Sequence, residues 1–305
     1  MTQLTLLDGG MSRELKRLGA ELKQPEWSAL ALMNSPEIVQ AVHEEFIAAG
    51  ADVVTTNSYA LVPFHIGEER FEADGARLIA LSGALARAAA DGCGDRPIRV
   101  AGSLPPIFGS YEPQNFDPSR VQHYLKVLVD NLAPYVDVWL GETLSLIAEG
   151  EAVRQAVAGT GKPFWISFTL DDRTDRPAPD VPKLRSGETV EAAARWAAQS
   201  GAQALLFNCS RPEIMRAAVE TANRVIKEAG SDLRIGVYAN AFEGEQGEAA
   251  ANEGLHATRD DLNDDAYSRF ACSWVDAGAS MVGGCCGIGA AHIHRLKQTL
   301  SGMAV

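Results

Sequence analysis

The residues best equipped for chemistry are three cysteines that follow short apolar runs. Cys209 lies in Phe207-Asn208-Cys209-Ser210, and Cys285 and Cys286 lie together in Gly283-Gly284-Cys285-Cys286-Gly287. Consecutive side chains of a regular strand point to opposite faces. Cys285 and Cys286 can therefore face one ion only where a strand has ended and the backbone turns, and the flanking glycines supply that freedom. Zinc takes four tetrahedral ligands, and a catalytic site leaves one position open. A thiol is a poor nucleophile until it is deprotonated, and coordination to a metal deprotonates it outright. Hydrolytic zinc sites favour His and carboxylate ligands. An all-cysteine Zn2+ site at Cys209, Cys285 and Cys286 with an open position therefore points to alkylation of a substrate thiol. Two other readings stay open: small buried hydrophobes, and a glycine-rich phosphate cradle at the last helix. His292 and His294 follow Cys286 by six and eight residues and are expected to point along or away from that helix.

The elements that must position these thiols are legible as a repeat. Eight apolar runs stand at 4–8, 52–56, 98–102, 137–141, 164–168, 204–208, 234–238 and 280–284. Helical patterns lie at about 36–49, 72–90, 118–133, 144–158, 188–199, 211–229, 265–276 and 289–300. The junctions Ala49-Gly50-Ala51, Ser200-Gly201-Ala202 and Ala277-Gly278-Ala279 each carry a helix into a strand, with glycine as the helix terminator. Ser35 is expected to cap the helix that starts at Pro36. Continuous apolar strands alternating with helices imply a covered parallel sheet, and eight such units predict an α/β fold, a (β/α)8 TIM barrel. A single domain over 1–305 is expected. An open doubly wound sheet is the weaker alternative, because Asp8-Gly9-Gly10-Met11 lacks dinucleotide-binding spacing. Barrel enzymes keep their chemistry at the C-terminal ends of strands. Here those ends carry Asp8, Asn57-Ser58-Tyr59, Ser103, Glu142-Thr143, Cys209, Asn240 and the Cys285-Cys286 pair.

The chain has 305 residues, 46% of them hydrophobic, and 27 basic against 40 acidic side chains give a net charge of −13. An acidic balance argues against nucleic acid and against anionic membranes. No apolar run approaches the ~20 residues that span a bilayer, and no leader pattern is seen, so a cytoplasmic location is expected. Five cysteines in such a compartment do not read as a disulfide framework. Cys272 reads as a core residue, and Cys93 has no assigned role.

In order along the chain stand LLDGGMSRELKRLG, PEWSAL, DVVTTNSYA, VAGSLPP, GETL, WISF, FNCS and GGCCGI. With these motifs the sequence resembles the homocysteine S-methyltransferase family over about residues 4–297. The resemblance implies zinc at Cys209, Cys285 and Cys286, with Asp8 and Glu142 holding the ammonium of homocysteine. Backbone N–H groups near Gly9-Gly10 are expected to receive its carboxylate. Trp27 and Tyr59 match aromatic positions beside a cationic methyl donor, which aromatic faces attract; Phe108 and Tyr111 are weaker candidates. The implied reaction moves a methyl group from S-methylmethionine, S-adenosylmethionine, betaine or a similar onium compound to homocysteine, giving methionine. Its partners are small molecules, with room for a homo-oligomer. Alternatives are a zinc-binding pseudo-enzyme, a non-catalytic binding protein, or an enzyme for another thiol or selenol. The chain departs from common family patterns at Gly102-Ser103-Leu104-Pro105-Pro106, at Tyr238-Ala239-Asn240 and at Leu144. These departures bear on the donor rather than on the metal. A chain of this length has no room for separate folate and cobalamin modules, so the donor is expected to bind this barrel or arrive from another protein.

Overall fold

All eight apolar runs become strands: β1 Thr5–Leu6, β2 Val53–Thr55, β3 Arg99–Leu104, β4 Val138–Leu144, β5 Phe164–Phe168, β6 Ala204–Asn208, β7 Arg234–Ala239 and β8 Met281–Gly284. The computed structural model describes residues 4–173, 181–242, 259–301 and 303. Every strand pairs in parallel with its neighbour, from β2 through to β8. β1 pairs with β8, and the parallel bridge Leu7↔Val53 joins β1 to β2 and closes the ring. The result is the expected (β/α)8 barrel.

Strand parity separates two cores. Inward residues such as Leu7, Val53, Ala101, Leu140, Leu206 and Met281 fill the barrel. Their neighbours Val54, Val100, Trp139, Ile166, Phe207 and Val282 pack under the helices. This alternation aims Glu142, two residues beyond Leu140, and Asn208, two beyond Leu206, at the C-terminal mouth.

The eight expected helices form, with ends moved by a few residues. Gly50, Gly201 and Gly278 all adopt the left-handed conformation at helix C-termini, where a β-carbon would be strained. Pro36 opens its helix as expected, but Ser35 makes no side-chain capping bond; its backbone sits at φ −148° and ψ 58°. Three short helices, Met11–Arg17, Ser28–Asn34 and Pro63–Ile66, escape the sequence pattern. Each is two turns or fewer, too short to show an apolar stripe. They belong to the loops after β1 and β2, beside the mouth. No helix among the described residues is long and apolar enough to cross a membrane.

Candidate active site and metal centre

The β8–β7–β6 order brings the two cysteine segments together across one intervening strand. Beyond β8 the Cys285 N–H donates to the Ala239 carbonyl, and the Cys286 carbonyl accepts from Ala241 N–H, so β7 anchors the turn. Cys209 stands just past β6 at φ 49°, and its N–H donates to the Tyr238 carbonyl. The sulfurs of Cys209, Cys285 and Cys286 all lie within 4.8 Å of one another. Among the described residues they form the one His/Cys/Asp/Glu group compact enough to hold a metal ion. A soft three-sulfur donor set fits zinc.

One feature departs from the expected three free thiols. Cys209 and Cys285 are joined as a disulfide, with the Cys286 sulfur 4.0 Å from that of Cys209. Thiols gathered tightly enough to share one ion are also close enough to bond with each other, so the same convergence serves a reduced, metal-binding state and an oxidised one. Burial, followed by the nearby Glu142 carboxylate, pushes the Cys286 thiol up to about 12.

Two carboxylates face the same cavity. Asp8 leaves β1 and accepts from Thr55 N–H at 2.7 Å and from the Thr55 hydroxyl at 3.2 Å. Glu142 accepts from Ser103 Oγ at 2.7 Å. It emerges where the β4–β5 register breaks between Gly141 and Leu144, at a kink whose next residue, Thr143, has φ 59°. Burial raises both acids, Asp8 to about 8, and Glu142 adds to the rise of Asp8. Two buried carboxylates facing one cavity are a site for a cation, because a shared positive partner relieves the desolvation of both and the repulsion that Glu142 exerts on Asp8.

Trp27 and Tyr59 meet edge to face with centroids 6.3 Å apart. His65 closes a triangle with them at 6.2 and 6.3 Å and is held by a 2.9 Å contact between Nδ1 and the Pro25 carbonyl. The buried Trp27 Nε1 has no protein partner. The cavity, about 470 Å³, is lined by the three cysteines, Asp8, Glu142, Trp27, Tyr59 and Tyr111, among others. Among the described residues, the non-glycine residues at positive φ are Trp27, Tyr111, Thr143 and Cys209, and all four line this cavity. Backbone strain of this kind concentrates where function demands it.

The sequence profile described as Homocysteine S-methyltransferase matches residues 5–300. The chain belongs to the homocysteine S-methyltransferase family. Homocysteine S-methyltransferase 1 of Arabidopsis thaliana is 28% identical, covering 97% of this chain and 93% of the plant protein. A selenocysteine Se-methyltransferase of Brassica oleracea var. italica is 27% identical over 92% of this chain and 84% of its own. The metallated form of the homocysteine methyltransferase MmuM from Escherichia coli superposes with a TM-score of 0.75 at 27% identity, covering 97% and 96% of the two chains. An oxidised form of the same enzyme fits with the same TM-score of 0.75 at 27% identity, covering 97% and 95% of the two chains.

The three cysteines, Asp8, Glu142, Trp27 and Tyr59 all line one cavity. Gly9 and Gly10 line it too, but the Gly10 N–H is donated to the Ile288 carbonyl at 2.8 Å and does not face a ligand. A β-carbon on Gly10 would stand 2.4 Å from the Cys285 carbonyl oxygen, so this glycine lets the β1 loop lie against the cysteine turn. Tyr111 faces the cavity, whereas Phe108 packs against Tyr124 and under Arg120. His292 contacts the Leu262 carbonyl and His294 contacts Gln298, so neither supplies a ligand. Cys93 and Cys272 are half-buried against the outer core.

Sequence reasoning placed Asn208 and Tyr238 at strand ends without a role, and did not single out Asp172 and Arg185, which also lie at the mouth. Asn208 and Tyr238 share inward parity with Leu206 and Gly236, a signal open to reading once the strands are known. Asp172 and Arg185 come from the loop after β5 and carried no such signal.

Proposed function

We propose that the protein is a zinc-dependent thiol methyltransferase that methylates homocysteine to methionine. The observation that carries this reading is the pair of buried carboxylates, Asp8 and Glu142, facing the three-cysteine cluster within one cavity. Cys209, Cys285 and Cys286 in their reduced state would hold the zinc. When bound there, zinc supplies an open coordination position and the Lewis acidity that keeps an incoming thiol deprotonated at neutral pH.

Asp8 and Glu142 take the ammonium of homocysteine between them, which fixes the reach of its side chain toward the cysteines. Ser103 and Thr55 hold the two carboxylates at 2.7 Å so that neither turns away when the ammonium leaves. Trp27, Tyr59 and Tyr111 offer aromatic faces to the cationic donor. They also keep water from the reacting atoms, and a dry mouth favours a step in which opposite charges cancel. In that step the acceptor sulfur uses a lone pair to form the new S–CH3 bond. The bond between the methyl carbon and the donor's positive atom breaks, and its electron pair stays on that atom, which becomes neutral. No side chain need move a proton during the transfer.

A second acceptor is favoured by one finding, the likeness to a selenocysteine Se-methyltransferase; a selenol meets the same ammonium site and the same cavity. The test is product formation from homocysteine and from selenocysteine by reduced, zinc-loaded protein with S-methylmethionine, S-adenosylmethionine and betaine as donors. Methionine formation at rates well above the metal-free protein supports the proposal. Zinc binding without methylation of either acceptor makes the protein a pseudo-enzyme.

A further inference from the structure

We propose that the Tyr238 hydroxyl completes a three-acceptor cradle with Asp8 and Glu142, which reads its ligand as a primary amine by the three N–H bonds of the ammonium. This rests on the ammonium site of the reading above and extends it to which amines that site admits.

Tyr238 lies near the end of β7 and belongs to the inner core with Leu206 and Met281. Its neighbours in register are Asn208 on β6 and Gly283 on β8, and its carbonyl accepts from Cys209 N–H at 3.3 Å. The backbone that carries the ring is thus held from both sides. Tyr238 is 5% exposed and lines the cavity with Asp8 and Glu142. Its buried hydroxyl makes no hydrogen bond of good geometry to the described residues, although Glu142 and Ser167 stand close to it. Burial pushes the hydroxyl well above the ordinary tyrosine value, and the charges of Glu142 and then Asp8 add to the rise, so the phenol keeps its proton. A buried polar group without a partner costs stability. In the wall of a substrate cavity, a ligand group that fills the missing bond offsets that cost.

An ammonium carries three N–H bonds, and two carboxylates offer one acceptor group each. Both acids are already tied down: Ser103 Oγ donates to Glu142 Oε2, and Thr55 donates to each oxygen of Asp8. Glu142 Oε1 takes no hydrogen bond of good geometry from the described residues. A phenol is donor and acceptor at once. In the loaded cradle Tyr238 gives its O–H to Glu142 Oε1 and turns a lone pair to the third N–H of the ammonium. Charge alone does not tell a primary ammonium from an N-methylated one, since both are cations. Three acceptors do, because an N-methyl group replaces one N–H and leaves a buried lone pair facing carbon. Tyr238 is a specificity residue in this scheme; it meets the nitrogen and takes no part in moving the methyl group.

The experiment measures binding of L-norleucine and N-methyl-L-norleucine to the reduced, zinc-loaded protein by calorimetry. The wild type is expected to bind the primary amine more tightly by about tenfold or more, the worth of one hydrogen bond to a charged group. In Tyr238→Phe that ratio falls toward one, because the two remaining acceptors match the two N–H bonds of the methylated amine. The lost hydroxyl makes no good hydrogen bond in the ligand-free protein, so the denaturation midpoint of Tyr238→Phe is not expected to fall. Equal binding of the two ligands by the wild type overturns the cradle, even where the variant fails to fold. An unchanged ratio in Tyr238→Phe, with or without a lower midpoint, overturns the role of the hydroxyl and leaves Asp8 and Glu142 as the ammonium site. No binding of norleucine by the wild type overturns the ammonium site itself, and this inference with it. The comparison needs no methyl donor, so selective binding that depends on Tyr238 supports the cradle even where no methionine forms and methyl transfer fails.

Discussion

Asn208 and Thr143 are locked together by a reciprocal pair of hydrogen bonds: Thr143 N–H donates to Asn208 Oδ1 at 3.1 Å, and Asn208 Nδ2 donates to Thr143 Oγ1 at 2.7 Å. Asn208 Oδ1 also accepts from Ser167 Oγ at 2.6 Å. Thr143 follows Glu142 and Asn208 precedes Cys209, so this clamp sets the distance between the Glu142 carboxylate and the cysteine cluster. It spans β4 to β6 above the inner core, where neither group meets water. Asn208→Ala leaves the Thr143 amide and hydroxyl buried without that partner, at a cost of about 1–3 kcal/mol in stability. Chemical denaturation checks the cost. Steady-state kinetics are expected to show a higher KM for homocysteine as well, because Glu142 loses its fixed relation to the cysteines. A variant as stable as the wild type with unchanged KM removes the clamp from the argument.

Glu142→Ala and Asp8→Asn separate acceptor binding from metal binding. Each removes one of the two buried carboxylates proposed to share the homocysteine ammonium, and loss of one partner of such a group costs about 2–5 kcal/mol of binding. Homocysteine KM should rise accordingly while the zinc content of the purified protein stays at the wild-type level. Zinc loss in Glu142→Ala, or an unaltered KM, assigns the acceptor pocket elsewhere.

The pH dependence of binding follows from Asp8, whose carboxyl is raised to about 8 by burial and then by Glu142. Below that value the ligand-free protein carries the proton, and an incoming ammonium must displace it. The affinity for L-norleucine, which offers the ammonium but no thiol, is therefore expected to strengthen as pH rises toward 8, with proton release seen by calorimetry in buffers of different ionisation enthalpy. For stability the sign is opposite. A carboxyl that holds its proton more tightly when folded stabilises the fold most at low pH, and that contribution fades as pH rises from the ordinary carboxylate range through about 8. Asp8→Asn should flatten both dependences across this window. Norleucine binding that is flat with pH in the wild type counts against a protonated Asp8.

Metal binding and thiol state should exclude one another. Reduced protein supplied with zinc is expected to bind about one equivalent, the capacity of a three-thiol site. Protein oxidised first should bind little, since the Cys209–Cys285 disulfide consumes two of the three donors. Replacement of Cys286 by Ala tests the set independently, because Cys286 lies outside the disulfide. Full zinc retention in that variant dissolves the proposed centre.

How much of this was legible in sequence depended on the kind of signal. Strands announced themselves as continuous apolar runs, because both faces of a barrel strand are buried, and the long helices by their stripes. The thiol cluster was legible because Cys285 and Cys286 sit in a glycine turn at a strand end and Cys209 at another. Asp8 and Glu142 needed the family resemblance, since a lone acid at a strand end also serves as a turn or rim residue. What could not be read was contact across the mouth. Nothing in the run around Arg185 indicates that it folds back onto Thr169, and nothing local marks Asn208 as the partner of Thr143. The Cys209–Cys285 disulfide was missed because counting cysteines by compartment says nothing about how closely three of them converge. The Gly10 amide was misassigned because the Ile288 carbonyl that occupies it comes from the other end of the chain.

That last contact yields the sharpest structural test. Gly10 has ordinary backbone angles, so its need for glycine is not conformational; φ is −73° and ψ is 110°. The constraint is contact alone. A β-carbon there would stand 2.4 Å from the Cys285 carbonyl oxygen and 3.0 Å from the Cys286 α-carbon, both backbone atoms that cannot swing aside. The cysteine turn is pinned on its other side, with Cys285 N–H bound to Ala239 and the Cys286 carbonyl bound to Ala241. Gly10→Ala must therefore either push the turn off β7 or lift the β1 loop that carries Asp8. The first outcome separates the cysteines and lowers zinc affinity; the second moves Asp8 and raises homocysteine KM. A strained repacking of this kind costs about 1–3 kcal/mol, which is read as a lower denaturation midpoint. Zinc titration and homocysteine kinetics on the same preparation tell which side yields. A Gly10→Ala protein with wild-type zinc affinity, homocysteine KM and stability means that the β1 loop and the cysteine turn are not held as closely as the structure places them.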